Sequence, residues 1–274
     1  MDTAGALLPL ALAMLLTGVV GGLLAGLLGV GGGIVIVPVL DAALQVYGVD
    51  PAIRMHVAVA TSLAVIIPTS ISSTRAHRAR GAVDRTLARQ WGPWIFTGAL
   101  LGTVLAALLE GGALAVLFGV VALLVAVKMI LPLHNALISK EIPRGLLAST
   151  IPLGIGSLSS MMGIGGGTLS VPVLTLMNQP IHRAVGTAAL FSLLISLPGT
   201  FGYVVSGWGD PRLPPGSLGY VNLIGLALIA PVSVLVAPIG ARLAHRLDKR
   251  QLSLAFGIFL LLVAVRMLLR SLAA

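Results

Sequence analysis

Two glycine clusters carry the first chemical hint in this sequence: GVGGG from Gly29 and GIGGG from Gly163, followed by prolines at Pro38 and Pro172. Inside a helix each glycine costs about 1 kcal/mol relative to alanine, and glycine admits left-handed backbone. Each cluster therefore predicts a helix that stops and restarts, with the proline freeing a further carbonyl. A restarted helix leaves its first N–H groups without intrahelical partners and carries a partial positive charge there, an arrangement that binds anions. The candidate donors are Gly31, Gly32, Gly33 and Ile34 in the first cluster and Gly165, Gly166, Gly167 and Thr168 in the second. Thr61, Ser62 and Thr187, with Thr168 itself, would add hydroxyl donors. Neutral donors hold an oxyanion without the cost of burying a permanent charge. Competing uses exist for the same residues. Hydroxyls back-bond to carbonyls of their own helix, and Gly22, Gly26, Gly29 and Gly33 have the spacing of small-residue helix contacts.

Titratable groups near these clusters are few. His56 and His182 open the helices that follow the two clusters and suit either proton coupling or a neutral place at the interface. Arg54 and Arg183 stand beside them, positioned to attract anions to a vestibule or to snorkel toward water. Asp41 lies in the first short apolar run and has Thr175 as its counterpart, so no paired acid is available for a proton relay or a cation site. No Ser–His–Asp, HExxH or paired-carboxylate arrangement stands out in the apolar segments. Neither glycine cluster leads into the Lys-Ser/Thr of a phosphate-binding loop. With no cysteine in the chain, thiolate chemistry and disulfides are excluded, and no metal or cofactor is expected.

The elements that must position these residues are set by composition. Of 274 residues, 57% are hydrophobic and only 9% charged, with a mean hydropathy of +1.07. A soluble domain carries about 25% charge, so the chain reads as an all-α polytopic membrane protein. Crossing the hydrocarbon takes about 20 apolar residues. Gly5–Leu28, Val57–Ser73, Trp91–Leu109, Ala113–Leu133, His182–Val205, Tyr220–Ala241 and Leu252–Leu269 supply such runs. The net charge of +9 falls in short connections, as cytoplasmic loops require, and does not indicate nucleic-acid binding.

The echo between the halves extends further. HVAVATSL from His56 resembles HRAVGTAA from His182, which makes a two-fold internal duplication. Loop charge reverses between the copies: 74–90 is rich in Arg while its counterpart 206–219 is not, and 110–112 has no Lys or Arg while 242–250 does. The pattern predicts two inverted-topology repeats, each a glycine-broken helical hairpin followed by about three transmembrane helices. The first spans 1–133 and the second 145–274, with 134–144 as linker. Loops 74–90, 134–144 and 242–250 are expected on the cytoplasmic side and both termini outside. Arg266 and Arg270 near the C-terminus fit that placement poorly.

The paired GVGGGIVIVPVL and GIGGGTLSVPVL, with VATSL and VGTAA downstream, resemble the sulfite exporter family of the TauE/SafE type over most of the chain. The resemblance implies export of sulfite or small organosulfonates across a bacterial inner membrane, other members being assigned to other anions. The second copy reads GTAAL where GTSL is more usual, which removes a hydroxyl at Ala188. The partners expected are a small anionic substrate and the lipid bilayer, with a homodimer left open. An integral-membrane enzyme is the alternative function, and it lacks a polar cluster at depth.

Overall fold

The computed structural model describes residues 3–29, 31–131, 147–243 and 249–272. The expected linker 134–144 lies outside the described residues, as does the middle of 242–250. Among the described residues ten helices follow in chain order: α1 (Thr3–Leu28), α2 (Gly33–Val46), α3 (Pro51–Arg78), α4 (Arg85–Ala107), α5 (Gly111–Ile130), α6 (Leu147–Met161), α7 (Gly167–Leu176), α8 (Ile181–Ser206), α9 (Leu223–Leu243) and α10 (Lys249–Leu272). Local chemistry explains several starts. Pro51 opens α3, where its missing N–H costs nothing, and the Asp50 carboxylate accepts from Ala52 N–H at 2.9 Å. Asp84 caps α4, accepting from the N–H groups of Thr86 and Leu87.

Among the described residues, five helices are long and apolar enough to cross a membrane: α1, α3, α5, α8 and α9. α4 and α10 run for 23 and 24 residues where spans were expected, yet they fall outside that group. In α4 the first third is diluted by Arg85, Arg89, Gln90, Trp91 and Pro93.

Two boundaries differ from expectation. The loop expected at 74–90 is mostly helix: Arg75 and Arg78 close α3, Arg85 and Arg89 open α4, and only 79–84 connects them. The span expected from Tyr220 begins at Leu223. Before it a two-residue antiparallel hairpin forms from β1 (Ser217–Leu218) and β2 (Val221–Asn222), with Ser217 opposite Asn222. Strand pairs this short have no period to read.

α3 and α8 cross at the centre and run antiparallel. The His56 ring lies 6.4 Å from that of Tyr203 near the far end of α8, and Leu63 meets Gly199. α9 packs on α3 and α4 on α8, while α1 lies along α9, α6 along α4 and α5 along α10. Exchanging α1–α5 for α6–α10 leaves these principal pairings unchanged. Glycines set the closest contacts. A Cβ on Gly22 would strike the Ser233 backbone and one on Gly26 the Ala237 carbonyl, so α1 and α9 run the same way, backbone against backbone. Gly98 against Leu153 and Gly102 against Ser157 do the same for α4 and α6.

Candidate functional site

Both glycine clusters break the helix where expected. In the first, Gly29, Gly31 and Gly32 adopt φ of 66°, 75° and 81°, left-handed values that an L side chain seldom takes. Gly32 is the N-cap of α2. In the second, only Gly163 is left-handed, at 65°, and the N-cap Gly166 is right-handed at φ −56°. Pro38 and Pro172 sit inside the helices that restart.

The breaks meet. A Cβ at Gly33 would strike the Gly163 carbonyl oxygen, and one at Gly31 would come within 3.4 Å of the Gly165 Cα. α3 and α8 close around them: Ile66 and Ser62 flank Gly33, Val59 abuts Gly163, Val185 abuts Gly29, and Phe191 abuts Gly166. Gly31–Ile34 and Gly165–Thr168 are all buried. The restarted ends, expected to face open space, are thus packed shut in this arrangement.

Each half holds the other's break. Ser62 on α3 donates its hydroxyl to the Gly163 carbonyl at 2.7 Å. Ser192 on α8 donates to the Gly29 carbonyl at 3.1 Å and is shared with the Ala188 carbonyl at 3.1 Å. Gly29 and Gly163 are counterparts, so the two bonds are reciprocal. Ser192 was missed from the sequence because Ser62 aligns with Ala188. The signal was available four residues on, at the next turn of the same helix face.

Thr61 and Thr187 are also reciprocal. Thr61 Oγ1 accepts from Asn222 N–H at 2.8 Å, and Thr187 Oγ1 accepts from Asp84 N–H at 2.9 Å. Asn222 and Asp84 directly precede α9 and α4, and the Asn222 side chain accepts in turn from Gly225 N–H at 2.8 Å. Each threonine therefore anchors the start of a helix from the other half, and its hydroxyl keeps one proton to donate. Thr168 Oγ1 is buried with no hydrogen-bond partner.

The two histidines occupy unlike places. His56 is buried, with Nε2 3.2 Å from the Ala106 carbonyl and its ring 5.1 Å from that of Tyr220. His182 and Arg183 are exposed at the opposite end of the α3–α8 crossing. Over His56 lies the 207–222 connection, knit by Arg212, whose guanidinium donates to both Asp210 oxygens at 2.9 and 2.7 Å. That bond holds the Asp210 carboxyl down to about 2. Burial beside it pushes the Tyr220 hydroxyl up.

Arg54 does not stand free at a vestibule. Its Nε donates to Asp41 at 2.8 Å, so the two form an ion pair. The pair borders a cavity of about 550 Å³ between α2, α3, α5 and α10, where Glu110 and Arg266 also stand. Arg266, awkward in the sequence, thus shares its cavity with two acids. A second cavity, about 580 Å³ between α3, α8 and α9, has an almost wholly apolar lining that includes Pro68, Thr200 and Pro231.

The model of the family "Sulfite exporter TauE/SafE" matches residues 14–267. A probable membrane transporter protein of Haemophilus influenzae is 34% identical over 256 residues, covering 93% of this chain and 97% of that protein. The probable membrane transporter protein YunE of Bacillus subtilis is 25% identical, covering 93% and 96%. One from Methanocaldococcus jannaschii is 26% identical, covering 96% of each. No solved structure matches the chain.

Proposed function

The chain belongs to the TauE/SafE sulfite exporter family of membrane transporters, and on that footing we propose that it exports sulfite or a small organosulfonate across a bacterial inner membrane. The anion binds where the two glycine breaks meet, to the first N–H groups of α2 and α7, with Thr168 and the free protons of Thr61 and Thr187 as neutral donors, joined by Ser62 once the parting breaks release it from the Gly163 carbonyl. The halves 1–133 and 145–274 are inverted repeats. Support comes from the exchange of helix pairings between halves, from the matched directions of α1 with α9 and α6 with α4, and from the reversed loop charge. Alternating access opens the closed breaks toward one side at a time, and His56 and His182 end the path on opposite sides. A chain of this kind performs transport and not chemistry, in keeping with the family and its relatives.

The observation that carries this reading is the meeting of two buried breaks, each with its leading carbonyl bound by a serine of the other half. The test is transport in proteoliposomes of purified full-length protein loaded with radiolabelled sulfite. External sulfite or methanesulfonate should accelerate label exchange, and Gly32→Val should abolish it. If neither anion exchanges with folded wild type, the reading fails.

A further inference from the structure

The cavity of about 550 Å³ between α2, α3, α5 and α10 is bordered by two carboxylates, Asp41 and Glu110, and two guanidiniums, Arg54 and Arg266. Asp41 and Arg54 pair with each other. The side chains of Glu110 and Arg266 have neither an ion pair nor a hydrogen bond among the described residues, and Glu110 precedes α5 without capping it through its carboxylate. One wall of the cavity thus offers a spare anion and another a spare cation. The two are rooted at different depths. α5 and α10 run antiparallel, for a Cβ on Gly119 would meet the Leu268 side chain and one on Gly257 that of Ile130. Leu268 is therefore level with Gly119, and at 1.5 Å of rise per residue the Arg266 backbone lies about 15 Å further along α5 than Glu110. There Arg266 interrupts the apolar stretch Leu260–Leu269, a place where an arginine is costly until its head finds an anion or water. Its long stem carries the guanidinium to the cavity. A track leads away from the same cavity. Val116 borders it, and Val116, Val120, Leu124 and Val127 follow at helical spacing down one face of α5, each at least 40% exposed.

We propose that this cavity binds the headgroup of a zwitterionic phospholipid of the phosphatidylethanolamine type, with the phosphate on Arg266, the ammonium on Glu110 and an acyl chain along the Val116–Val127 face of α5. The order of charges carries the assignment. In such a lipid the phosphate adjoins the glycerol and the hydrocarbon, and the ammonium lies beyond it toward water. The cavity presents its spare cation deep and its spare anion at the helix start, in the same order. A divalent cation gathered by Asp41 and Glu110 would meet both arginines. A lipid whose headgroup is anionic and lacks an ammonium satisfies Arg266 and sets Glu110 against a like charge. A water-soluble zwitterion would pair both groups and leave the apolar track uncovered. The site stands apart from the glycine breaks and is independent of what they carry.

The test is native mass spectrometry of delipidated full-length protein in detergent, mixed with equimolar dioleoyl phosphatidylethanolamine and dioleoyl phosphatidylglycerol. The first lipid bound should be phosphatidylethanolamine by about fivefold, the scale of one partly exposed ion pair. Glu110→Gln should bring the two lipids level. Arg266→Gln should weaken both by about fivefold, and Arg266→Lys should restore them. Circular dichroism and elution volume report the fold; Glu110 is exposed at a helix start, so Glu110→Gln decides the matter should Arg266→Gln misfold. Glycerophosphoethanolamine, the same headgroup without its chains, should not displace the lipid at equal concentration. Equal binding of both lipids to wild type, or a preference that survives Glu110→Gln, overturns the proposal. Displacement by glycerophosphoethanolamine overturns it too and assigns the cavity to a soluble zwitterion.

Discussion

The two glycine breaks spell nearly the same phrase and are built differently. The first uses three left-handed glycines and enters α2 through Ile34 and Ile36; the second uses one and enters α7 through Thr168 and Ser170. Around them the scaffold treats the breaks alike, each receiving a serine hydroxyl and each followed by a helix whose threonine anchors the start of a helix from the other half. The frame around the two breaks is thus alike while their contents differ. A break lined with aliphatic side chains and fixed by backbone conformation is suited to bearing load. One lined with unpaired hydroxyls is suited to holding something.

The sharpest way to break this comparison is a pair of alanines. Gly32→Ala puts a side chain at φ 81° and into the Gly21 backbone, where left-handed strain and overpacking together cost about 2–5 kcal/mol. Gly166→Ala meets Phe191 Cβ at 2.9 Å from a right-handed conformation, at about 1–3 kcal/mol of overpacking alone. Thermal unfolding should rank Gly32→Ala as the worse of the two; equal losses would erase the conformational distinction. Next come the serines. Ser62→Ala and Ser192→Ala each strip a buried carbonyl of its donor, at about 1–3 kcal/mol. Ser62→Ala should cost more, because its 2.7 Å bond has one acceptor while Ser192 divides its proton between two.

Thr61→Val and Thr187→Val sharpen the frame itself. Each removes an acceptor from one backbone N–H, at about 1 kcal/mol. Their stability losses should match within error, because their roles mirror each other. The smallest effect concerns the 207–222 cover over His56. The Asp210 carboxyl lies below its ordinary 3.8, at about 2. Its ionised form therefore contributes stability that is complete above 3.8 and is lost as pH falls toward 2. Arg212→Gln should flatten the melting temperature across that window and leave the slope near neutrality unchanged. Arg212 is half exposed, so solvent screening keeps the change small.

Features governed by local spacing were legible in the sequence. The breaks at Gly29–Gly33 and Gly163–Gly167, the restart of both short helices and the start of the following helices near His56 and His182 follow from glycine, proline and apolar period. What escaped was set across the halves. Ser192 meets Gly29, Thr61 meets Asn222, and Arg54 meets Asp41, and no run of neighbouring residues encodes those encounters. Alignment even pointed away from Ser192, since it compared Ser62 with Ala188 position by position. A hydroxyl one turn later on the same face reaches the same carbonyl. The closed state of the breaks was invisible for a related reason: a helix start looks open until the residues that cover it, Phe191 and Val185 among them, arrive from the other half.

The glycine seam between α1 and α9 has a consequence for how the protein is made. The Ser233 hydroxyl donates to the Gly18 carbonyl across 215 residues of chain. Synthesis releases α1 first and its mate nearly last, and α6 likewise follows α4 after a long interval. In the meantime the bare stripe of Gly18, Gly22 and Gly26 has no permanent neighbour, and lipid or an insertion factor must line it. Nascent chains of this design pass through a stage in which α1 to α5 have emerged and none of the seams is closed. Premature release at that stage exposes backbone that the finished molecule never shows.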